Sequence, residues 1–348
     1  MTDHTPTRGY RRIATEEAWC PPELFRLFRK ELEEKTIDEP GFHSLYGFFA
    51  SEAPRAKALA SRIQSLGEER IADMDRSGID MQILALTAPG VQLFDPIEGS
   101  ALAVRFNDEL AEGVARHPDR FAGLAAFSPL DPGPAARELE RGVTKLGLKG
   151  GILNGHVNGT YLDDPQYWEV FEAAEALDVP IYLHPNCLPK DMVQPFLKRG
   201  LDAAVYGFAC DTGLHALRLV VAGLFDHFPK LQIILGHCGE ALPYWLYRIS
   251  YMHGHISKTG RYPDVAPLKR EAKDYLRENF LYTNSGVADP DPINYIRKVI
   301  GPERMMYAMD YPWQFEPQEI ALLEDGLGLD AAGMAAFFEG NAARVFKL

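Results

Sequence analysis

The sequence predicts a closed (β/α)8 barrel of the TIM type. Three observations carry that expectation: eight short, β-rich apolar runs, helical patterns between most of them, and no Gly-rich dinucleotide fingerprint after the first run. The 348 residues are long for one domain but ordinary for a barrel. They are read as a single unit, 1–348, with helical insertions after strands one and five.

The runs fall in order at 12–15 (RIAT), 81–87 (MQILALT), 121–127 (FAGLAAF), 148–154 (LKGGILN), 179–183 (VPIYL), 231–235 (LQIIL), 279–283 (NFLYT) and 304–309 (RMMYAM). Most are continuously apolar, as parallel strands covered on both faces must be. Between them, apolar residues recur at helical spacing over 62–76 (Ile63, Leu66, Ile71, Met74), 102–115, 135–145, 167–177, 214–228 and 241–251. Two connections exceed a single crossover: 21–62 after the first strand and 187–213 after the fifth. Long βα loops cover the active face of a barrel, so both are read as substrate-binding insertions, with subunit contact or packing as the alternative.

With 36 basic and 49 acidic residues the net charge is −13. Such a chain repels nucleic acid and anionic membrane surfaces, so neither is expected as a partner. An anionic substrate must then be met by local arginines. The four cysteines include no CxxC pair and suggest no disulfide framework. The N-terminus MTDHTPTRGYRR has no apolar stretch, and no run of 18 apolar residues follows. No signal peptide or bilayer span is expected, and a cytoplasmic setting fits best.

In a barrel, function sits at the carboxyl ends of the strands. The first run continues into Glu16 and Glu17, the fifth into His184, the sixth into His237 and Glu240, and the eighth into Asp310. Glu16, His184 and Asp310 make a mixed oxygen and nitrogen set suited to Mn²⁺, Zn²⁺ or Fe²⁺. Three protein ligands leave positions open for water or substrate, as a catalytic metal requires. His237 and Glu240, three residues apart, are read as standing behind those ligands, the carboxylate fixing the imidazole tautomer. The alternative for Glu240 is an acidic cap on its own helix. Arg248 follows Tyr244, Trp245 and Tyr247, which points to a packed arginine ready to bind a carboxylate. Arg55, in the first insertion, is a second candidate, with a surface ion pair the default for either. His156, just past the fourth strand, is a possible wall residue of the site.

At these residues a resemblance becomes specific. RIATEEAW (12–19), ERIADMD (69–75), ILALTAPGVQ (83–92), GHCGEALPYWLYR (236–248), TNSGVA (283–288) and MYAMDYPW (306–313) resemble the amidohydrolase-superfamily decarboxylases of phenolic acids, most of all those acting on 5-carboxyvanillate. The resemblance runs from about residue 11 to the C-terminus. It implies one divalent ion, Mn²⁺ with Zn²⁺ as the alternative, held by Glu16, His184 and Asp310. It implies His237 and Glu240 behind the ion, and Arg55 and Arg248 on the substrate carboxylate, Arg248 serving its own subunit or a neighbour. It also implies a homodimer or homotetramer. Ala18 stands where many superfamily hydrolases have histidine, which argues against a two-metal hydrolase. Phe49 and Trp313 stand where the resembling enzymes carry tyrosines. Both are expected to line the substrate pocket, so the departure bears on the substrate and not on the chemistry.

The expected reaction is non-oxidative decarboxylation of an ortho-hydroxylated aromatic acid. Loss of CO₂ from an arene is easy only once the carbon bearing the carboxylate is protonated, and Asp310 is chosen as that acid. The competing expectations are a metal-dependent hydrolase, such as a lactonase acting on ring-cleavage products, and a non-catalytic barrel that binds an aromatic acid.

Overall fold

The computed structural model describes residues 8–348; part of the N-terminal stretch used above to expect no signal peptide, residues 1–7, lies outside them. Among the described residues nine strands, all parallel, build the barrel. They are β1 (Ile13–Trp19), β2 (Met81–Leu86), β3 (Phe121–Gly123), β4 (Ala125–Ala126), β5 (Gly151–Asn154), β6 (Ile181–His184), β7 (Ile233–Leu235), β8 (Phe280–Thr283) and β9 (Met305–Met306). The order is β1-β2-β3 in one segment and β4 through β9 in the other.

The third expected run is one stave broken in two. Leu124 still donates its N–H to Leu84 O at 2.9 Å, while Lys149 donates to Gly123 O at 2.8 Å. The break falls where Asn107 takes over the backbone of Ala126, accepting its N–H at 2.8 Å and donating to its carbonyl at 2.9 Å. A buried side-chain amide thus substitutes for a ladder partner. The barrel closes between its last and first staves, where Thr15 N–H donates to Tyr307 O at 3.1 Å and Ala18 N–H to Tyr311 O at 2.8 Å. The eight-stave expectation holds.

β1 reaches Trp19, four residues beyond the expected run, so both glutamates lie inside the strand and are buried. The apolar strands are covered inside by lumen side chains and outside by helices such as Pro96–Arg116, which turns Leu102, Ala103, Phe106 and Leu110 inward. Its cap is Asp95, whose carboxylate accepts the Ile97 N–H at 3.0 Å.

The first insertion folds as three helices, Pro22–Glu34, Pro40–Phe49 and Pro54–Gln64. Each opens on proline, which suits a first turn whose N–H has no partner. The second carries the helix Lys190–Leu197 and the start of Gly207–Val221. The helix expected at 214–228 therefore begins earlier. It stops short at Gly223, where φ of 82° breaks it before the short turn Leu224–His227. Among the described residues no helix is long and apolar enough to cross a membrane.

Candidate active site

The site begins with an irregularity in β1. Pairing with β2 runs Ala14 to Gln82 and then Glu17 to Leu84, so β1 carries one extra residue there. Such a bulge re-aims side chains beside a site. Here it serves two successive carboxylates. The Glu16 Oε2 atom accepts from the Tyr182 hydroxyl and, at 3.4 Å, from Thr283 Oγ1. Glu17 turns elsewhere and accepts the backbone N–H groups of Met309 at 2.9 Å and Tyr311 at 3.2 Å.

The second oxygen of Glu16, Oε1, is buried without a hydrogen-bond partner. It faces His184 Nε2 at 3.5 Å and His237 Nε2 at 3.4 Å. The His184 Nδ1 atom lies 2.8 Å from the carbonyl of Pro185, so that nitrogen carries the hydrogen and Nε2 presents a lone pair. Burial first, and then the charge of His237, lower the His184 imidazole below its ordinary pKa, against the pull of Glu16. A neutral nitrogen lone pair and an orphaned carboxylate oxygen thus face one another, an arrangement that a cation between them resolves.

Asp310 lines the same small cavity as Glu16 and His184. Burial, and next the charge on Glu16, push its carboxyl well above the usual carboxylate range. A cation bound nearby would draw it back down. Asp310 holds φ of 69°, an uncommon conformation for a residue with a Cβ. No three His, Cys, Asp or Glu side chains among the described residues form a closed ligand cage. The three donors expected to bind metal converge on one small cavity without yet enclosing a point, and their types fit a divalent ion with open positions.

His237 does not start an ordinary helix. Residues 237–241 all have positive φ, from 50° at Glu240 to 76° at Gly239, so the chain makes one left-handed turn. Such backbone costs about 1–2 kcal/mol per residue with a side chain and collects at functional sites. Gly239 is required, because a Cβ would sit 2.6 Å from the ring of Tyr282. The turn brings His237 Nδ1 to 2.6 Å from Glu240 Oε1. Glu240 therefore partners the imidazole as expected, and the helix-cap alternative falls away with the helix. Burial lowers the His237 pKa, but Glu240 and then Glu16 outweigh it and hold the ring up at about 10. His237 commits Nδ1 to Glu240, while its Nε2 faces Glu16 Oε1 beside His184.

Above these groups opens a cavity of about 490 Å³. His184, His237, Glu240 and Asp310 form its polar end. Both insertions supply the rest, with Leu45, Tyr46 and Phe49 from the first and Ala204, Tyr206 and Phe208 from the second. Phe49 and Trp313 meet there with ring centroids 4.4 Å apart.

Two expected residues are elsewhere. Arg55 and Arg248 are exposed and do not line the cavity, which has no Lys or Arg in its wall. The packed environment expected for Arg248 is not met within one chain, because its neighbours Tyr244, Trp245 and Tyr247 are also exposed. Tyr244 stacks on Tyr295 with ring centroids 4.2 Å apart and Tyr247 on Tyr251 at 5.8 Å, yet each keeps its outer face in solvent. His156 is buried outside the cavity wall, 2.8 Å from Cys187 O. Sequence reasoning missed Tyr182 and Thr283, which aim Glu16. Tyr182 was within reach, since it lies two residues before His184 on one strand and so shares its face.

A family model for amidohydrolases matches residues 41–348. A gamma-resorcylate decarboxylase of Polaromonas sp. is 40% identical over 298 residues, covering 83% of this chain and 90% of its own. A 5-carboxyvanillate decarboxylase of Novosphingobium aromaticivorans, solved with manganese and 4-hydroxy-3-methoxy-5-nitrobenzoic acid, superposes with a TM-score of 0.95 at 45% identity, covering 98% of this chain and 97% of that one. A dihydroxybenzoic acid decarboxylase of Polaromonas sp. JS666, solved with manganese and the inhibitor 2-nitroresorcinol, gives 0.84 at 35%, covering 97% of each chain. The match over most of the sequence, on the barrel that carries the acid and histidine cluster, makes this chain a member of the amidohydrolase family.

Proposed function

We propose that the protein is a divalent-metal-dependent, non-oxidative decarboxylase of an ortho-hydroxylated aromatic acid, 5-carboxyvanillate or a related hydroxybenzoate. One observation carries the reading: the bare Glu16 Oε1 faces the lone pair of His184 Nε2 at 3.5 Å, at the floor of a cavity sized for a substituted benzoate. Glu16, His184 and Asp310 would hold the ion, Mn²⁺ by likeness to the relatives solved with manganese and Zn²⁺ as the alternative. When bound, the ion would favour the phenolate and fix substrate geometry.

The chain's own residues do the remaining work. Asp310, at the polar end of the cavity, gives its proton to the ring carbon that bears the carboxylate. The carbon–carbon bond then breaks, CO₂ leaves, and its bonding electrons restore the aromatic ring. His237, held as a cation by Glu240, supplies positive charge at the polar end and a route by which Asp310 regains a proton. Phe49 and Trp313 cover the ring and exclude water.

A substrate with a further carboxylate needs a guanidinium or ammonium group that one chain's cavity wall does not offer. Arg55 and Arg248 fill that need, Arg248 from a neighbouring subunit. A homodimer or homotetramer is part of this reading. Tyr244, Trp245, Tyr247, Tyr251 and Met252 are exposed around Arg248, and apolar surface of that kind marks subunit contacts. A cytoplasmic setting is also part of it, consistent with four free cysteines, three of them buried.

The test is a panel of hydroxybenzoates and 5-carboxyvanillate, assayed with Mn²⁺ and Zn²⁺ for CO₂ release, alongside elemental analysis. CO₂ with one metal per chain is expected. Ring opening without CO₂, or two metals per chain, would instead establish the hydrolase.

A further inference from the structure

Asp310 occupies a left-handed conformation, φ 69°, uncommon for a residue with a Cβ. Its flanking backbone is gripped from one side. Glu17 Oε1 accepts the N–H of Met309 at 2.9 Å, and Glu17 Oε2 accepts that of Tyr311 at 3.2 Å. One carboxylate therefore spans the residues immediately before and after Asp310. Glu17 is itself fully buried and held in place. Gln82 Nε2 donates to Glu17 Oε2 at 3.4 Å, and Gln82 Oε1 accepts from Arg70 Nε at 2.6 Å. The Arg70 guanidinium donates in turn to Ala18 O, at 3.0 Å from both NH1 and NH2. The chain Arg70–Gln82–Glu17 thus ends on the Asp310 turn, and every link is buried.

We infer that Glu17 is the positioning residue for Asp310: its two oxygens clamp the peptides on either side and so fix where the acid's carboxyl points. The inference rests on the proposed role of Asp310 as proton donor. The physical argument is geometric. A carboxylate with both oxygens committed to backbone N–H groups sets the orientation of the turn between them. A reacting group displaced by about 1 Å can lose about 10²-fold in rate. Glu17→Gln places an amide N–H₂ against one of those backbone donors, so one bond becomes a repulsion. Glu17→Asp keeps both acceptors one methylene short.

The experiment uses the Mn²⁺-loaded full chain with 2,6-dihydroxybenzoate and 5-carboxyvanillate. Four variants are measured: Glu17→Gln, Glu17→Asp, Asp310→Asn, and Asn107→Ala as a destabilised control at the third stave, outside the cavity wall. For Glu17→Gln, kcat is expected to fall about 10²-fold, with KM and the Mn²⁺ affinity read by electron paramagnetic resonance within about threefold of the parent. Glu17→Asp recovers part of the loss. Asn107→Ala lowers the unfolding midpoint and leaves kcat per folded, loaded enzyme unchanged. Hydrogen exchange on the parent protein is a readout that needs no variant: the Met309 and Tyr311 amides are expected to be as protected as those of the central strands. Rapid exchange at either amide, or Glu17→Gln with the parent's kcat, overturns the inference. So does a kcat loss shared equally by Asn107→Ala. Asp310→Asn separates the two claims. If it is inactive while Glu17→Gln is normal, only the Glu17 inference fails; if it keeps full kcat with metal retained, Asp310 is not the acid and both fail.

Discussion

The phenol of Tyr182 donates to Glu16 Oε2, and that bond leaves Glu16 Oε1 bare toward the two histidines. A tyrosine that never meets an ion thereby decides which oxygen can. Tyr182→Phe removes the donor while keeping the ring in the barrel core. The Mn²⁺ dissociation constant, measured by titration, is expected to rise about 10- to 100-fold, as when other partners of ligands are lost. An unchanged constant would mean that Glu16 needs no such guide.

Gly236 lies against the same oxygen of that carboxylate. A Cβ there would sit 2.3 Å from Glu16 Oε2. Gly236→Ala is therefore expected to push Glu16 aside and weaken metal retention by at least about tenfold, with elemental analysis after dialysis as the readout. Stability should suffer less than metal binding, since the displaced group is a single side chain.

Asp211 gives a pH prediction away from the metal ligands. Its Oδ1 accepts from the Tyr161 hydroxyl at 2.5 Å, its Oδ2 has no partner, and burial raises its pKa to about 7. In the unfolded chain it titrates near 3.9, about the usual value. Between those values the folded state keeps a proton that the unfolded state has released, so stability falls as pH rises from about 4 to about 7. Asp211→Asn keeps an acceptor for Tyr161 and removes the titration. The variant should gain on the parent as pH rises from 5 to 8, by on the order of 2–4 kcal/mol. Parallel thermal melts across that range decide it; a constant difference between the two proteins would refute the assignment.

Subunit sharing of Arg248 is tested by mixing. Arg248→Ala and Asp310→Asn chains are each expected to be inactive alone. If Arg248 acts across a dimer, co-refolded equal mixtures recover about a quarter of parent activity, because half the dimers are mixed and each has one complete site. No recovery would return Arg248 to its own chain.

The barrel was legible because parallel strands buried on both faces leave continuous apolar runs that single-sequence periodicity detects. The places where it misled are those where local rules yield to neighbours. The third run looked unbroken, yet Asn107, distant in sequence, replaces the ladder at Ala126. The helix expected from 241 starts with a left-handed turn, because His237 and Glu240 must meet and the closeness of Tyr282 leaves room only for glycine at 239. The ligand candidates were visible as acid and imidazole at strand ends, where the barrel rule directs attention. Glu17 was not singled out, since nothing in TEEAW says which of two adjacent glutamates faces inward. Only the bulge against β2 settles it.

That bulge gives two chemically identical neighbours unrelated duties, one toward the ion and one toward the turn that carries the acid. The first stave therefore tolerates almost no change in its length. Removing one residue between Ala14 and Glu16 would restore regular pairing with Glu17 still opposite Leu84, so the loss would fall on Glu16, whose placing depends on the extra residue. Both glutamates would remain in the chain, yet the one meant for the ion would no longer be aimed at it.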